Sequence, residues 1–249
     1  MSIIINADDF GLNEHCSKAI AQTFREGLIT DTTMMATGEY FDEAVELAKE
    51  QGFIDRIGVH LNLTEGEPLT EEIKRFPEFV TDDMFNKQYK RTKPLSKAAK
   101  DAIYIELTAQ VEKIQNAGIQ ITHADSHHHI HTAIFIAPIV FQICKKYDIT
   151  KIRLFRNIGK TYKTNRNVVD IFNRQLITQG FITTSYFAYV DDIILEDIPN
   201  NTEILLHPDY DVNGVLIDRR KTVNSFPVGT VFSDLDFLQN YSVGSYPLL

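Results

Sequence analysis

Five of the chain's eight histidines fall within ten residues, THADSHHHIH (122–131). His123, His127, His128, His129 and His131 stand around one aspartate, Asp125. A histidine run has little packing value. With carboxylates it supplies the nitrogen and oxygen donors that zinc and similar transition metals take. An aspartate and two histidines would leave coordination positions open for water and substrate. Neighbouring side chains point apart in extended backbone. On that pattern His127 and His129 share a face with Asp125, and His128 points away. The remaining histidines then orient ligands or line a pocket.

Other reactive types are scattered along the chain. The acids Asp8 and Asp9 follow the apolar run SIIINA, His60 is a lone histidine inside RIGVHLNL (56–63), and His207 precedes Pro208. The stretch KIRLFRNIGKTYKTNR (151–166) is basic and contains Arg153 and Arg156. Each has a plainer reading in isolation: a turn, a satisfied core histidine, a loop histidine, a solvated basic face. One of the basic residues, Arg153 for preference, could orient an acid or contact an anionic substrate.

The elements that must position these groups alternate between strand and helix. Buried-strand patterns occur at 2–7, 32–37, 56–63, 119–125, 151–155 and 203–208. Helical spacing occurs at 13–28, 41–52, 96–117, 137–147 and 166–179. Repeated βα units imply a parallel sheet with helices outside. The expectation is an α/β fold, a (β/α) barrel of about seven parallel strands, with a doubly wound open sheet as the alternative. In either, the C-terminal strand ends share one face, which would gather Asp8, Asp9, His60, Asp125, His127, Arg153 and His207. Residues 64–95 have no clear period and read as a functional loop or lid over a single domain, 1–249. The last thirty residues give no clear pattern.

Composition narrows the function. The 249 residues are 43% hydrophobic, enough for a core. The net charge of −9 argues against nucleic acid as a partner. AIFIAPIVFQIC (133–144) is too short to span a bilayer and holds Pro138. The N-terminus lacks the features of a signal peptide. Cys16 and Cys144 are far apart and read as reduced core residues. A cytoplasmic protein with neither nucleic acid nor membrane as partner is expected, with a homodimer as the default assembly.

NADDFG (6–11), GVHLNLT (58–64), THADSHHHIH (122–131) and LLHPDY (205–210) resemble the YdjC-like carbohydrate deacetylases. These include the chitooligosaccharide (diacetylchitobiose) deacetylases. The resemblance runs to about residue 210. It implies a distorted (β/α) barrel related to the polysaccharide deacetylases. It also implies one divalent metal on Asp9, His60 and His127, with Asp8 as general base and His207 as general acid. Donor type favours zinc or a similar metal; the resemblance also permits magnesium. The implied substrate is a small N-acetylglucosamine-containing sugar, chitobiose or its 6-phosphate, deacetylated with release of acetate. The segment DRRKTVNSFPVGTVFSDL (218–235) departs from the family pattern, which puts the pocket edge in question and not the metal site.

Two other functions compete. A glycoside hydrolase acting on a phosphorylated disaccharide such as cellobiose-phosphate would need two carboxylates flanking the bond. Asp8 and Asp9 are adjacent and ill placed for that. A non-catalytic metal- or sugar-binding protein would need neither base nor acid.

Overall fold

The computed structural model describes residues 2–159, 166–190, 198–223 and 226–249. Chain order is β1 (Ser2–Phe10), α1 (Glu14–Arg25), β2 (Asp31–Met34), α2 (Phe41–Gln51), β3 (Ile57–Leu61), α3 (Glu71–Lys74), β4 (Val80–Thr81), β5 (Met84–Phe85) and α4 (Lys97–Asn116). Then come β6 (Ala124–Ser126), α5 (Ala137–Lys146), α6 (Arg166–Thr178), β7 (Tyr186–Tyr189) and β8 (Thr202–Leu206). The chain closes with β9 (Pro208–Tyr210), β10 (Leu216–Val223), β11 (Phe226–Val231) and β12 (Ser242–Val243).

Six strands form one parallel sheet in the order β6-β3-β2-β1-β8-β7. Ile3, Ile4 and Ile5 are all buried, as a strand covered on both faces requires. β2, β3 and β8 are buried throughout. Sequence punctuation sets the helices. The Asn13 side chain accepts from the Cys16 N–H and opens α1. Gly52, at φ 77°, closes α2 in the left-handed conformation that glycine adopts without strain.

The sheet curls toward closure. Ile152 bridges Ala124 on one edge, and Lys151 bridges Ile182, which leads into β7 on the other. The expected barrel is therefore present, with the seventh strand reduced to two bridging residues. The strand expected over 151–155 stops early because side-chain amides replace its ladder. Asn173 bonds the N–H and C=O of Phe155, and Asn157 Oδ1 accepts from the Phe187 N–H. The regular strand expected at 119–125 likewise starts only at Ala124.

The segment 64–95 holds α3 and the β4–β5 hairpin, and it buries Ile73, Phe79 and Leu95. The buried Glu106 carboxylate on α4 accepts from the N–H groups of Leu69 and Thr70 and fixes where the segment starts. The last thirty residues, which show no pattern in the sequence, supply the end of β10 and all of β11 to an antiparallel sheet, β11-β10-β9, and β12 pairs with the start of β1. Among the described residues, no helix is long and apolar enough to cross a membrane. Cys16 and Cys144 are both buried and unbridged.

Candidate metal and active site

Asp8 and Asp9 lie inside β1, near its end. Two neighbours on a regular strand would face opposite ways. Asp9 instead has φ 73°, and the register between β1 and β2 shifts between Ala7 and Phe10. This bulge lets both acids line the same cavity. The left-handed region is costly for a residue with a Cβ, and such strain gathers at functional sites.

Asp9 Oδ1 lies 2.8 Å from His127 Nδ1 and 3.2 Å from His60 Nε2. One carboxylate oxygen thus faces the inner nitrogens of both histidines, and all three side chains are buried. Each histidine is braced on its outer nitrogen by a carboxylate. His60 Nδ1 lies 2.7 Å from Asp125 Oδ1, and His127 Nε2 lies 3.1 Å from Glu65 Oε2. Thr33 donates to the other Asp125 oxygen at 3.0 Å. Carboxylates on the outer nitrogens are how proteins orient metal-ligating histidines. The second oxygen of Asp9 accepts from Arg219 at 2.8 Å, which leaves Oδ1 as its donor. The ligand atoms of Asp9, His60 and His127 all lie within 4.8 Å of one another. The donor set and its bracing fit a divalent cation.

Electrostatics point the same way. Burial opposes charge on His60, but Asp125 and Asp8 outweigh it and push its pKa up to about 10. His127 is also raised, by Asp9 and Glu65 against its burial. Burial raises Asp9, yet His127 and His60 hold it well below the usual carboxylate range. The carboxylates gathered around His60 and His127 favour protons on nitrogens that a cation would displace.

Asp8 is bound differently. Arg153 NH1 and NH2 donate to its two oxygens at 2.7 Å each, and Asn6 Nδ2 donates at 2.9 Å. Burial works against the Asp8 charge, but Arg153 and His60 hold its pKa well below the ordinary value. Arg153 is fully buried and also meets Asp125 at 2.5 Å and Glu203 at 2.6 Å. Its ion pairs are with these three acids, the geometry that an orienting role would use. It is not among the residues that line the cavity.

The histidine run corrects one expectation. His128 and His129 adopt φ 50° and 52°, so the chain leaves β6 and coils instead of alternating. His127, His128 and His129 all line the cavity, which has a volume of about 750 Å³. His129 meets the Tyr189 hydroxyl at 2.6 Å, while His131 turns inward to Ser126. Asp125 braces His60 and is not aimed at the cavity. Arg91, from the irregular segment, donates to the backbone carbonyls of His128 and His129 and pins the coil.

His207 lies just past β8, lines the same cavity and is partly buried. Its N–H donates to Asp218 Oδ1 at 2.7 Å, and its C=O accepts from the Arg219 N–H at 2.8 Å. The basic segment 151–166 splits. Arg156 stacks on Tyr189 at 4.5 Å, whereas Lys160 and Lys163 lie outside the described residues. The cations on the cavity wall come from elsewhere: Lys87, Arg91, Arg219, Arg220 and Lys221. Glu65, Arg219 and Asn6 are the site residues that sequence reasoning missed. Glu65 borders one quoted motif and Asn6 opens another, but nothing in the sequence pairs them with particular atoms.

The parallel barrel carries, at its C-terminal strand ends, a buried Asp–His–His cluster that could hold a metal ion, which sets the class as an α/β protein with a candidate metal site. Within that class, a sequence model of the YdjC-like proteins matches residues 2–241. The chain belongs to the YdjC-like family. It is 36% identical over 217 residues to Carbohydrate deacetylase 1 of Listeria innocua serovar 6a, covering 84% of this chain and 82% of that one. It is 34% identical over 220 residues to Carbohydrate deacetylase of Brevibacillus brevis, with the same coverage. A solved structure from Enterococcus faecalis V583, a "putative cellobiose-phosphate cleavage protein", superposes with a TM-score of 0.69 at 20% identity. It covers 98% of this chain and 97% of that one, which establishes the shared fold.

Proposed function

We propose that this protein is a carbohydrate deacetylase, a hydrolase that removes the acetyl group from an N-acetylated sugar and releases acetate. One observation carries the reading. Asp8, Asp9, His60, His127 and His207 line one cavity at the strand ends, in a chain similar to named carbohydrate deacetylases.

Asp9, His60 and His127 would hold the ion; zinc or a similar metal suits the donors, and magnesium is the alternative. When bound, a divalent cation would polarise the acetamide carbonyl and acidify a water enough for a weakly basic carboxylate to take its proton. Asp8 is that carboxylate. Arg153 weakens it as a base but fixes where its oxygens point, and geometry comes first in general-base catalysis. His207 protonates the departing amine, which leaves poorly without a proton. The fixed backbone around His207 holds that imidazole at the cavity. The segment 64–95 forms part of the wall through Glu65, Lys87 and Arg91 and serves as the lid.

The substrate is a small N-acetylglucosamine-containing sugar, chitobiose or its 6-phosphate. The five wall cations favour the phosphorylated form on an otherwise acidic chain. Glycosidic cleavage is disfavoured, because Asp8 and Asp9 are adjacent and each is tied to an arginine. The unbridged buried cysteines support a cytoplasmic location.

The test is acetate release from diacetylchitobiose, with and without the 6-phosphate. It is run on chelated protein and again after zinc or magnesium is restored. Metal-dependent release that is lost in Asp8→Asn is expected. Metal binding without acetate from either sugar would overturn the substrate class.

A further inference from the structure

The Asp8 carboxylate is held by two side chains, Arg153 and Asn6. Each leads away from the cavity. Arg153 Nε donates to one oxygen of Glu203 at 2.6 Å, and the other oxygen accepts from the Tyr246 hydroxyl at 2.5 Å. Asn6 Oδ1 lies 3.1 Å from His123 Nε2. The His123 ring is stacked flat on the Tyr246 ring, with centroids 3.6 Å apart and planes 9° apart. Two separate routes from Asp8 therefore end on one side chain.

Tyr246 is fully buried beneath the barrel, at the end opposite the cavity. Its neighbours moor it there. Gly244 donates its N–H to the Ile3 carbonyl, Tyr246 donates its N–H to Asp31 Oδ1, and Lys151 Nζ donates to the Tyr246 carbonyl. Tyr246 lies beyond the residues matched to the family, which end at 241.

We propose that Tyr246 is a positioning residue for Asp8, so that the floor segment 242–249 supports the active site from below. The proposal rests on the reading of Asp8 as general base. A guanidinium is a rigid plane, so the partner on Nε sets the tilt of the edge that grips Asp8. Glu203 is that partner, and the Tyr246 hydroxyl holds its outer oxygen in a buried setting. Without the hydroxyl, that oxygen has no donor in the described network and the carboxylate must turn or take a proton. Small misplacements of a reacting group are costly in turnover. The stack on His123 steadies the Asn6 route in parallel. A tyrosine that merely filled space would change stability and leave turnover alone.

Tyr246→Phe tests this, because it keeps the ring and removes only the hydroxyl. We expect kcat for acetate release to fall on the order of tenfold. KM should stay within about twofold, and metal content should be unchanged. The Arg153 Nε–H resonance of the intact protein should shift, which reads the relay without reference to catalysis. Glu203→Gln should lower kcat similarly, and the two changes together should be less than additive. If Tyr246→Phe does not fold, Glu203→Gln, which retains Tyr246, reads the same junction. Unchanged kcat in whichever variant folds overturns the proposal, as does an unmoved Arg153 resonance. Asp8→Asn is the control: if it retains turnover, the base assignment fails, and the Arg153 resonance alone then judges the relay.

Discussion

Arg153 shows what one side chain can be made to do. It is a fully buried cation against three carboxylates, Asp8, Asp125 and Glu203. Such a charge persists in low dielectric only because it is paired on every edge. Arg153→Met would strand the acids, and stability should fall on the order of 3–5 kcal/mol in denaturant unfolding. A loss below about 1 kcal/mol would mean that the acids are neutral and the network is not ionic. At the proposed metal site the decisive atom is His60 Nδ1. Asp125→Asn removes the charge that orients this ring, and metal affinity should drop about 10- to 100-fold by equilibrium dialysis. Unchanged affinity would separate His60 from metal binding.

At the scale of elements, β3 must pass very close to the segment before β6. A Cβ on Gly58 would stand 2.6 Å from the His123 ring and 2.7 Å from its carbonyl oxygen. Gly58→Ala should lower the melting temperature by several degrees and reduce turnover, because the strand that carries His60 would be pushed aside. An unaltered melting curve would contradict this packing. Strand β10 has a different task. It fixes His207 through Asp218 and places Lys221 on the cavity wall. Together with Lys87, Lys221 should meet the phosphate of the proposed phosphorylated sugar. Lys221→Ala and Lys87→Ala are each expected to raise KM for the sugar phosphate severalfold while sparing the free sugar. Equal losses on both substrates would remove phosphate from the reading.

At the scale of the whole molecule, the barrel has a reactive top and a sealed floor. The floor buries Asp31 and Glu203, and desolvation pushes both up to about 7. Asp31 accepts from the Tyr246 N–H with Oδ1, while its Oδ2 has no hydrogen-bond partner among the described residues. An acid whose pKa is raised on folding binds its proton more tightly in the folded state. Its contribution is complete below about pH 4 and is lost as pH rises through about 7. For Asp31 the span is on the order of 4 kcal/mol at most. Asp31→Asn should therefore melt higher than the parent at pH 8, and near it at pH 4. Parallel curves at both pH values would sink the assignment.

The histidine run, the paired acids and the strand–helix alternation were legible because they are local patterns. Periodicity reports burial, and a βα repeat leaves few topologies in which the strand ends fail to converge. The family resemblance extended that legibility to named positions. What the sequence could not carry was any contact made by a departure from regular backbone. The left-handed φ at Asp9 turns two neighbours onto one face, and those at His128 and His129 undo the expected alternation. Pairings across long separations were equally hidden, such as Arg219 with Asp9 and Tyr246 with Glu203. A basic residue in a basic segment looks the same whether it is solvated or buried. Only the tertiary structure decided that Arg153 lies in the core: closure of the barrel brings three acids from three strands around it, and desolvation makes that pairing obligatory.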